Sequence, residues 1–341
     1  MVPWGRWRLS PIGDDQKGVA ISGNEVCCVV VSFNTKALTL RCLAAFREAA
    51  CVVSEVCVVD NASSDETVSL LTDSAYWNDL EQIRKKNTPV LSVISLSQNI
   101  GFGPANNMGV GSTTSPFVAL VNSDAFVFPG ALQTLRDYLL ANPKVGVVGP
   151  RLLNSDGSMQ ESRFPFPNPA RAWAENLGLA EIMKWINRES GLSQGPVEWL
   201  SGACLMFRRE VWERVEGFDE SFFLYSEETD LQRRVRLSGW EVHWVPEAVV
   251  THLGGSSGVG MREAVREYFF EGVDRYFLKH YGRWGAVSLR SATATGAALR
   301  WVRSVLGGRG QRQELYWILK RQLSRKFPEM GAVDLCHMSR R

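Results

Sequence analysis

The sequence predicts an α/β fold with a Rossmann-like, mostly parallel sheet and flanking helices. Short apolar, β-branched runs alternate with helical patterns between residues 26 and 148, and such alternation is typical of parallel sheets. The first run, Val26 to Phe33, is continuously apolar, as expected for a strand buried on both faces. Because ligands of these sheets bind beyond the carboxyl ends of the strands, we expect the site at that edge.

The elements follow in order. Strands are predicted at 26–33, 55–59, 90–96, 117–121 and 145–148. The helices between them are predicted at 37–49, 66–80, 104–112 and 129–140. Beyond Pro150 the chain is richer in Pro, Asn, Ser and Gly, with helices predicted at 170–186, at 209–215 and from Ser226 as N-cap. Short strands are predicted from 198, at 242–245 and at 248–251.

Composition narrows the class of protein. The chain has 341 residues, 45% apolar and 22% charged, which excludes a disordered, collagen-like or disulfide-scaffold protein. The seven cysteines are odd in number and form no CxxC motif, so we expect buried free thiols and a cytoplasmic location. No secretory signal is recognisable. Three arginines interrupt the most apolar later stretch, residues 285–306, which argues against a membrane-spanning helix.

The net charge of +2 conceals an uneven distribution. Residues 283–341 contain twelve Lys or Arg and three acids, a net +9, so the preceding body carries −7. Aromatic and aliphatic residues are interleaved with these cations, which suits an interfacial helix on an anionic membrane surface. An ordinary solvated helix packed on the body is the alternative. We expect no nucleic-acid partner.

Polar residues at the predicted strand ends form the first candidate group. Asp60, followed by Asn61, could accept a hydrogen bond from a ribose or base, or could form an Asx turn into the next helix. Asn122 and Asp124 could share a hard divalent cation, or could simply form a turn. The segment Gly101 to Asn107 could surround a ligand, although it lacks the last glycine of a dinucleotide fingerprint.

A second group lies further along the chain. Glu227, Glu228 and Asp230 crowd the start of a predicted helix, where acids either compensate the helix dipole or, in a cleft, gain the raised pKa of a general base. His252 follows a strand and precedes a Gly-rich stretch that would let a phosphate approach, although a lone His is more often structural.

The order and spacing of these blocks resemble family 2 glycosyltransferases, in their bacterial rhamnosyltransferase-like branch. The likeness covers about residues 25–282 and rests on the following blocks: VVVSFN, VVDNASSD, NIGFGPANN, LVNSD, WLSGACLMFRR, GFDESFFLYSEETDL and the Pro-Glu-Ala to Thr-His segment. The resemblance implies a GT-A nucleotide-diphospho-sugar transferase fold and inverting transfer from a nucleotide-diphosphate sugar. It also implies a metal-dependent hexosyltransferase of polysaccharide biosynthesis at the cell envelope.

The resemblance also assigns roles to residues. Donor binding is implied for Ser32, Asn34, Asp60, Asn61, Gly103, Asn107 and Ser123. Metal binding, to Mg²⁺ or Mn²⁺, is implied for Asp124, Asn122 and His252. The implied catalytic carboxylates are Glu228, as the base, with Glu227 and Asp230 beside it, and Trp199, Ser201 and Gly202 are implied on the acceptor side. Two positions depart from the family pattern: Asn122 replaces the first acid of the DxD motif, and Glu228 replaces an Asp.

The expected domain plan has three parts. They are an N-terminal arm (1–24), a catalytic domain (25–282, dividing near 150 into nucleotide-sugar-binding and acceptor-binding halves) and a basic amphipathic C-terminal segment (283–341). The donor is expected to be a dTDP- or UDP-sugar, with L-rhamnose favoured, and the acceptor a glycan or lipid-linked glycan at the inner face of the cell membrane. The rival is a degenerate nucleotide-sugar-binding scaffold, whereas the incomplete glycine fingerprint disfavours an oxidoreductase.

Overall fold

The computed structural model describes residues 25–48, 52–72, 89–179, 194–254, 262–305, 312–324 and 326–328. Several predicted features lie outside these ranges. They are the N-terminal arm at 1–24, residues 73–80 and 180–186 of two predicted helices, the thiols of Cys51 and Cys336, and most of the chain after 324. The helix predicted at 170–186 ends earlier than predicted, at Asn176.

The first four strands lie within two residues of their predicted bounds, the fifth predicted strand continues to Leu153, and several short strands were not predicted. They are β1 (Val26–Ser32), β2 (Val53–Asp60), β3 (Val90–Ser95), β4 (Phe117–Val121), β5 (Ala125–Val127), β6 (Val145–Leu153), β7 (Met159–Gln160), β8 (Arg163–Phe164), β9 (Gly195–Pro196), β10 (Trp199–Leu200), β11 (Cys204–Arg208) and β12 (Glu241–His252). The helices are α1 (Lys36–Glu48), α2 (Thr67–Thr72), α3 (Phe102–Gly111), α4 (Ala131–Ala141), α5 (Pro169–Asn176), α6 (Arg209–Arg214), α7 (Glu227–Leu237), α8 (Arg262–Val305) and α9 (Arg312–Ser324).

The main sheet has the order β3-β2-β1-β4-β11-β6-β12-β5, with β7 paired to β6 and β9 to β12. Strands β1 to β4 are parallel as predicted, but the fifth predicted strand, β6, does not lie beside β4. Strand β11 lies between them and is antiparallel to both. Periodicity identifies strands without identifying their neighbours, so this crossover was not visible in the sequence. The two-stranded sheet of β8 and β10 stands apart.

The two strands predicted at 242–245 and 248–251 are one strand, β12, whose register with β6 shifts between Val245 and Val249. Pro246 lies at this shift, and its missing N–H interrupts the hydrogen-bond ladder there. The apolar sequence pattern is interrupted at Pro246, but only the hydrogen-bond ladder is irregular there. The strand itself continues to His252.

The sheet is covered on both faces. Alternate residues of β1 enter two different apolar clusters, Val26, Cys28 and Val30 on one face and Cys27 and Val29 on the other. This confirms the strand buried on both faces that the VCCVVV run predicts. The five described cysteines are buried and unpaired, and burial raises the pKa of Cys27 to about 11.

The C-terminal helices pack on the body and on one another. Helix α8 breaks at Gly282, whose φ is 66°, and its two halves are joined by an ion pair of 2.7 Å between Arg290 and Asp274. Arg321 of α9 binds Glu267 of α8 at 2.9 Å. Some cations of the basic segment are therefore buried in ion pairs. Within the described parts of the chain, none of the helices combines the length and the apolar character that crossing a bilayer needs.

Candidate active site

The predicted strand-end residues meet at one edge of the sheet. Ser32 and Asp60 are register partners at the ends of β1 and β2, and the Asn61 amide donates to the Ser32 carbonyl at 2.8 Å. The turn after β4 is tied to the same edge, because the Thr35 hydroxyl donates to Ser123 Oγ at 3.0 Å. The parallel arrangement thus gathers these groups as the sequence predicted.

The loops after β1 and β2 hold each other. Asn34 Oδ1 accepts from the Ser64 amide at 2.7 Å, and Asp60 Oδ1 accepts from the Ser63 amide at 2.9 Å. The latter is the predicted Asx turn. Asp60 Oδ2 is nevertheless buried without a hydrogen-bond partner among the described residues. One carboxylate oxygen shapes the turn, and the other can accept a hydrogen bond from a ligand.

Asn61 shapes the glycine loop. Its Oδ1 accepts from the Ile100 amide at 2.9 Å, and its Nδ2 donates to the Gly101 carbonyl at 3.1 Å and to Asn99 Oδ1 at 2.9 Å. The Phe102 amide then donates to the Phe223 carbonyl at 2.9 Å. The Asn61 side chain is therefore used to hold the loop that begins α3.

Three further predicted donor-binding positions also make contacts within the protein. Asn107 Oδ1 accepts from the Phe218 amide at 2.8 Å, and its Nδ2 donates to the Phe218 carbonyl at 2.9 Å. A Cβ on Gly103 would come within 3.1 Å of the Phe218 Cβ. The buried hydroxyl of Ser32 shares a hydrogen bond of 2.9 Å with Thr39. These contacts account for all three positions without a ligand.

The turn after β4 brings three candidate metal ligands to one place. The Asn122 amide donates to the Ala203 carbonyl at 3.0 Å, while Asn122 Oδ1 is a buried acceptor that no donor of the described chain satisfies. Asp124 Oδ1 lies 3.4 Å from His252 Nε2. Within the described ranges, no three His, Cys, Asp or Glu side chains cluster as a metal site would. The candidate ligands here are Asp124, His252 and the amide oxygen of Asn122.

The first turn of α7 carries two carboxyl groups that are withdrawn from solvent. Burial, and then the neighbouring Glu228, raise the pKa of Glu227 well above its usual range. Burial likewise raises the pKa of Glu228. The Oε2 atoms of both side chains are shielded from solvent and lack hydrogen-bond partners in the part of the chain that the structure describes. A desolvated carboxylate of raised pKa is the form that a general base requires.

The backbone before this turn is held in an unusual conformation. Tyr225 and Ser226 both have φ of 71°. Ser226 stands at the N-cap, as predicted, but its side chain makes no capping hydrogen bond, because a left-handed residue does not have the extended backbone of a capping residue. Gly272 of α8 packs against this segment so closely that a Cβ there would lie 2.2 Å from the Tyr225 carbonyl oxygen.

Asp230 lies in the opposite environment and does not suit the base role predicted for it. Its Oδ2 accepts from Arg234 at 2.8 Å, and its Oδ1 lies 3.0 Å from Lys279 Nζ and 2.8 Å from His280 Nε2. Although burial alone would raise its pKa, these groups hold the pKa of Asp230 well below its usual range. The carboxylate is a buried structural anion that joins α7 to α8.

One of the predicted acceptor residues, Gly202, lies against Glu228. A Cβ on Gly202 would lie 3.4 Å from both Cβ and Cγ of Glu228, so the glycine leaves room for this side chain. Trp199 stacks on Phe164 with ring centroids 4.7 Å apart. Strand β10 is fixed to α7 by Gln232, whose side chain exchanges two hydrogen bonds of 2.8 Å with the Leu200 main chain. The structure therefore connects Gly202 directly, and strand β10 through Gln232, to α7.

Sequence reasoning missed Gln160 and Gly272. Gln160, on β7, forms a hydrogen bond with His252. The Asp-Gly pair in the turn from Asn154 to Ser158, which precedes β7, could have predicted this hairpin. Gly272 lies within a helix, where glycine is unfavourable by about 1 kcal/mol, and that cost is itself a sign of close packing.

Comparison with known proteins identifies the family. The sequence profile of glycosyltransferase-like family 2 matches residues 24–269. The N-acetylglucosaminyl-diphospho-decaprenol L-rhamnosyltransferase of Mycobacterium tuberculosis is 30% identical over 205 residues, which cover 54% of this chain and 65% of that protein. The O-antigen chain rhamnosyltransferase RfbN of Salmonella typhimurium is 22% identical over 253 residues, which cover 73% and 72% of the two chains. The match thus spans less than two thirds of the mycobacterial relative.

Solved structures agree on the fold. A mannosyltransferase from Pyrobaculum calidifontis in complex with GDP-Man and Mn²⁺ superposes with a TM-score of 0.54 at 17% identity, over 86% of this chain and 78% of that one. GalNAc-T7 with UDP, GalNAc and Mn²⁺ gives a TM-score of 0.56 at 12% identity, over 90% and 56%. The chain belongs to glycosyltransferase-like family 2 and has the GT-A fold, in agreement with the resemblance found in its sequence.

Proposed function

We propose that the protein is an inverting glycosyltransferase that moves L-rhamnose from dTDP-L-rhamnose to a hydroxyl of a lipid-linked glycan. Family membership and the two rhamnosyltransferase relatives support the class of reaction and the sugar. The observation that carries the proposal is the Glu228 side chain, which lies against Gly202 and whose Oε2 is buried without a hydrogen-bond partner in the described chain. Gly202 directly precedes Ala203, whose carbonyl binds the Asn122 turn.

Glu228 acts as the general base in a single displacement. Its carboxylate takes the proton of the acceptor hydroxyl while that oxygen forms a bond to the anomeric carbon. The bond from this carbon to the diphosphate breaks, and its electron pair leaves with the nucleoside diphosphate. Because attack and departure take place on opposite faces, the anomeric configuration inverts. Burial suits Glu228 to the task, since a raised pKa makes its carboxylate the stronger base.

The residues after β4 fit a divalent cation. Asn122 Oδ1 is a buried acceptor unsatisfied within the described ranges, and Asp124 and His252 approach each other at 3.4 Å. A site that offers only a few protein ligands suits Mg²⁺ or Mn²⁺, because these ions keep water or phosphate oxygens in the remaining positions. When bound, the cation would neutralise charge on the departing diphosphate. With Asn122 neutral, Asp124 is the anionic ligand of this set.

The two loops that Asn34 and Asp60 stabilise form the nucleoside side of the site. Asp60 Oδ2 is the buried oxygen left for a hydroxyl or base N–H of the donor. On the other side, the stacked rings of Trp199 and Phe164 offer an aromatic surface to the acceptor. In this proposal the acceptor hydroxyl and the donor sugar meet between Glu228 and Asp124.

Ligand binding and turnover test the proposal together. Thermal unfolding of the full chain is measured with a panel of nucleotide sugars, with and without Mn²⁺, because a ligand that binds only the folded state stabilises it increasingly as its concentration rises above Kd. We expect dTDP-L-rhamnose with Mn²⁺ to give the largest rise in Tm. Release of dTDP is then measured with N-acetylglucosaminyl-diphospho-decaprenol as acceptor. Binding without acceptor-dependent release would favour the scaffold function, and a larger rise with a UDP-sugar would replace the donor.

We also propose that the second half of α8 rests on an anionic membrane surface. With a helical turn of about 100° per residue, four of its exposed apolar side chains fall within about 60° of one another. They are Trp284, Val287, Val302 and Val305. Trp284 is 85% exposed, and Arg283 and Arg303 lie about 100° to either side of it. Residues 283–305 include no acid, so charge and shape both suit anionic lipid.

Vesicle flotation of the full chain tests this surface. We expect binding to vesicles that contain phosphatidylglycerol, weaker binding to neutral phosphatidylcholine, and loss of binding in a Trp284→Glu, Val302→Glu double variant. Leu237→Glu is the matched control, because Leu237 is an exposed apolar residue of α7 outside this surface. Equal flotation of the double variant and the control would exclude the α8 surface. Equal binding to both lipids would exclude the role of charge.

A further inference from the structure

The hairpin of β6 and β7 places an amide side chain behind His252. Gln160 Oε1 lies 2.8 Å from His252 Nδ1. On the other side of the same ring, Nε2 lies 3.4 Å from Asp124 Oδ1. His252 is therefore held between an amide on β7 and the carboxylate of the turn after β4.

The orientation of the Gln160 amide follows from its partners. Its Nε2 donates to the His252 carbonyl at 3.2 Å and to Asn154 Oδ1 at 2.9 Å. A main-chain carbonyl can only accept, so the NH₂ group of Gln160 must face it and the amide oxygen must face the imidazole. Asn154 is itself held, since its Nδ2 donates to Ser158 Oγ at 2.9 Å.

The amide orientation determines the tautomer of the histidine. An amide oxygen can only accept, so Nδ1 must carry the hydrogen. In the neutral ring, Nε2 then presents a lone pair toward Asp124. This is the arrangement of metal-binding histidines, whose second nitrogen donates to an outer partner that fixes both the ring and its basicity.

We infer that Gln160 is a positioning residue, which holds His252 in the Nδ1–H form so that Nε2 and Asp124 together receive the divalent cation of the nucleotide sugar complex. This inference rests on the metal-binding part of the proposed function. Gln160 itself touches neither substrate nor cation in this role. Without it, the ring could place the hydrogen on Nε2 and donate to Asp124, which would occupy both ligands.

The tautomer is measured directly by ¹⁵N NMR of histidine-labelled full-length protein without metal, at about pH 8, where an ordinary imidazole is neutral. The chain has four histidines, and a His252→Gln variant identifies the resonance. We expect the Nδ1–H pattern in the wild type and its loss in Gln160→Leu. An Nε2–H pattern in the wild type, or an unchanged pattern in Gln160→Leu, would overturn the inference.

The consequence for the metal is measured by electron paramagnetic resonance of free Mn²⁺ in the presence of dTDP. Loss of an outer partner of a metal ligand weakens affinity by about 10- to 100-fold, and we expect that range for Gln160→Leu. Gln160→Glu keeps an acceptor oxygen toward Nδ1 and should recover part of the affinity. Met159→Leu is the control, because this neighbour on β7 is 47% exposed.

The metal-binding part of the proposed function and the positioning role of Gln160 can be disproved separately. If the wild type shows the Nδ1–H tautomer but does not bind Mn²⁺ with dTDP, both the metal-binding part of the proposed function and the metal-positioning role of Gln160 are wrong. If the wild type binds Mn²⁺ and Gln160→Leu binds it equally well, only the positioning role is wrong. A change of tautomer together with a loss of Mn²⁺ affinity in Gln160→Leu supports both.

Discussion

The first turn of α7 holds three carboxyl groups in two opposite environments. Burial raises the pKa of both Glu227 and Glu228, and for Glu227 the neighbouring Glu228 raises it further. Asp230, less than one turn away, is buried among Arg234, Lys279 and His280, which hold its pKa well below the usual range. Sequence proximity therefore says little about role here. One pair of acids is destabilised as anions and suited to chemistry, while the third is stabilised as an anion and joins two helices.

The sharpest test of the comparison is Glu228→Gln. The amide keeps the shape of the side chain but cannot accept a proton from the acceptor hydroxyl. A positioned base contributes about 10²–10⁴-fold, so we expect kcat to fall by that factor. Donor affinity, measured by thermal unfolding with dTDP-L-rhamnose, should stay within about twofold, because the amide preserves the local packing. A variant that transfers sugar at the wild-type rate would remove Glu228 from the base role.

Asp230→Asn should act on stability. Removal of one partner of a buried ion pair costs about 3–5 kcal/mol, because the cations left behind remain buried. The wild-type contribution is present above the unfolded pKa of about 3.9 and is lost as pH falls through the lower folded value. Denaturant unfolding at pH 7 and at about pH 2, well below the unfolded value, measures it. Asp137→Asn, at an exposed pair with Arg136, is the control and should cost less than about 1 kcal/mol. A loss no larger than that of the control would contradict the structural role.

Gly272→Ala tests how α8 supports the catalytic turn. The new Cβ would lie 2.2 Å from the Tyr225 carbonyl oxygen, so α8 or the turn must move. Overpacking of this kind costs about 1–3 kcal/mol, and we expect kcat to fall as well because Glu228 follows the displaced segment. Gly111→Ala is the control, since nothing lies within 4 Å of its Cβ position. Unchanged stability and kcat in Gly272→Ala would show that the contact is not needed.

Glu227→Gln should change the free energy of unfolding least among these variants, and should increase it rather than decrease it. Folding raises the pKa of this carboxyl group. At a pH above the pKa of the unfolded chain, the ionised group therefore destabilises the folded state, by about 1.4 kcal/mol for each tenfold increase in proton affinity on folding. Glutamine removes this cost. We therefore expect the variant to be more stable than the wild type at pH 8, with the gain vanishing near pH 4. Denaturant unfolding at the two pH values measures the difference, and a loss of stability at pH 8 would mean that Glu227 is paired as an anion.

The parallel half of the fold could be predicted from the sequence because its signals are local. Apolar runs such as Val26 to Phe33 define strands, and parallel strands necessarily bring their carboxyl ends together. The insertion of β11 between β4 and β6 could not be predicted, since strand order depends on contacts distant in sequence. The continuity of β12 was hidden by Pro246, which interrupts its ladder but not the strand.

The candidate site likewise contains residues that local sequence signals could predict and residues that they could not. Asp60 and Asp124 were found because they follow strands, and Glu228 because acids crowd the start of a helix. The different fate of Asp230 could not be predicted, because its partners Lys279 and His280 lie about fifty residues away on α8. Gln160 was missed for the same reason, since its relation to His252 exists only in the folded hairpin.

The contrast between the three acids of α7 is tested most directly by ¹³C NMR titration of protein labelled at the side-chain carboxyl carbons of Glu and Asp. Glu228→Gln, Glu227→Gln and Asp230→Asn identify the three resonances. We expect Glu227 and Glu228 to titrate above the ordinary Glu value of about 4.3, and Asp230 below the ordinary Asp value of about 3.9. A Glu228 carboxyl group that titrates at or below its ordinary value would contradict the assignment of this residue as the desolvated base.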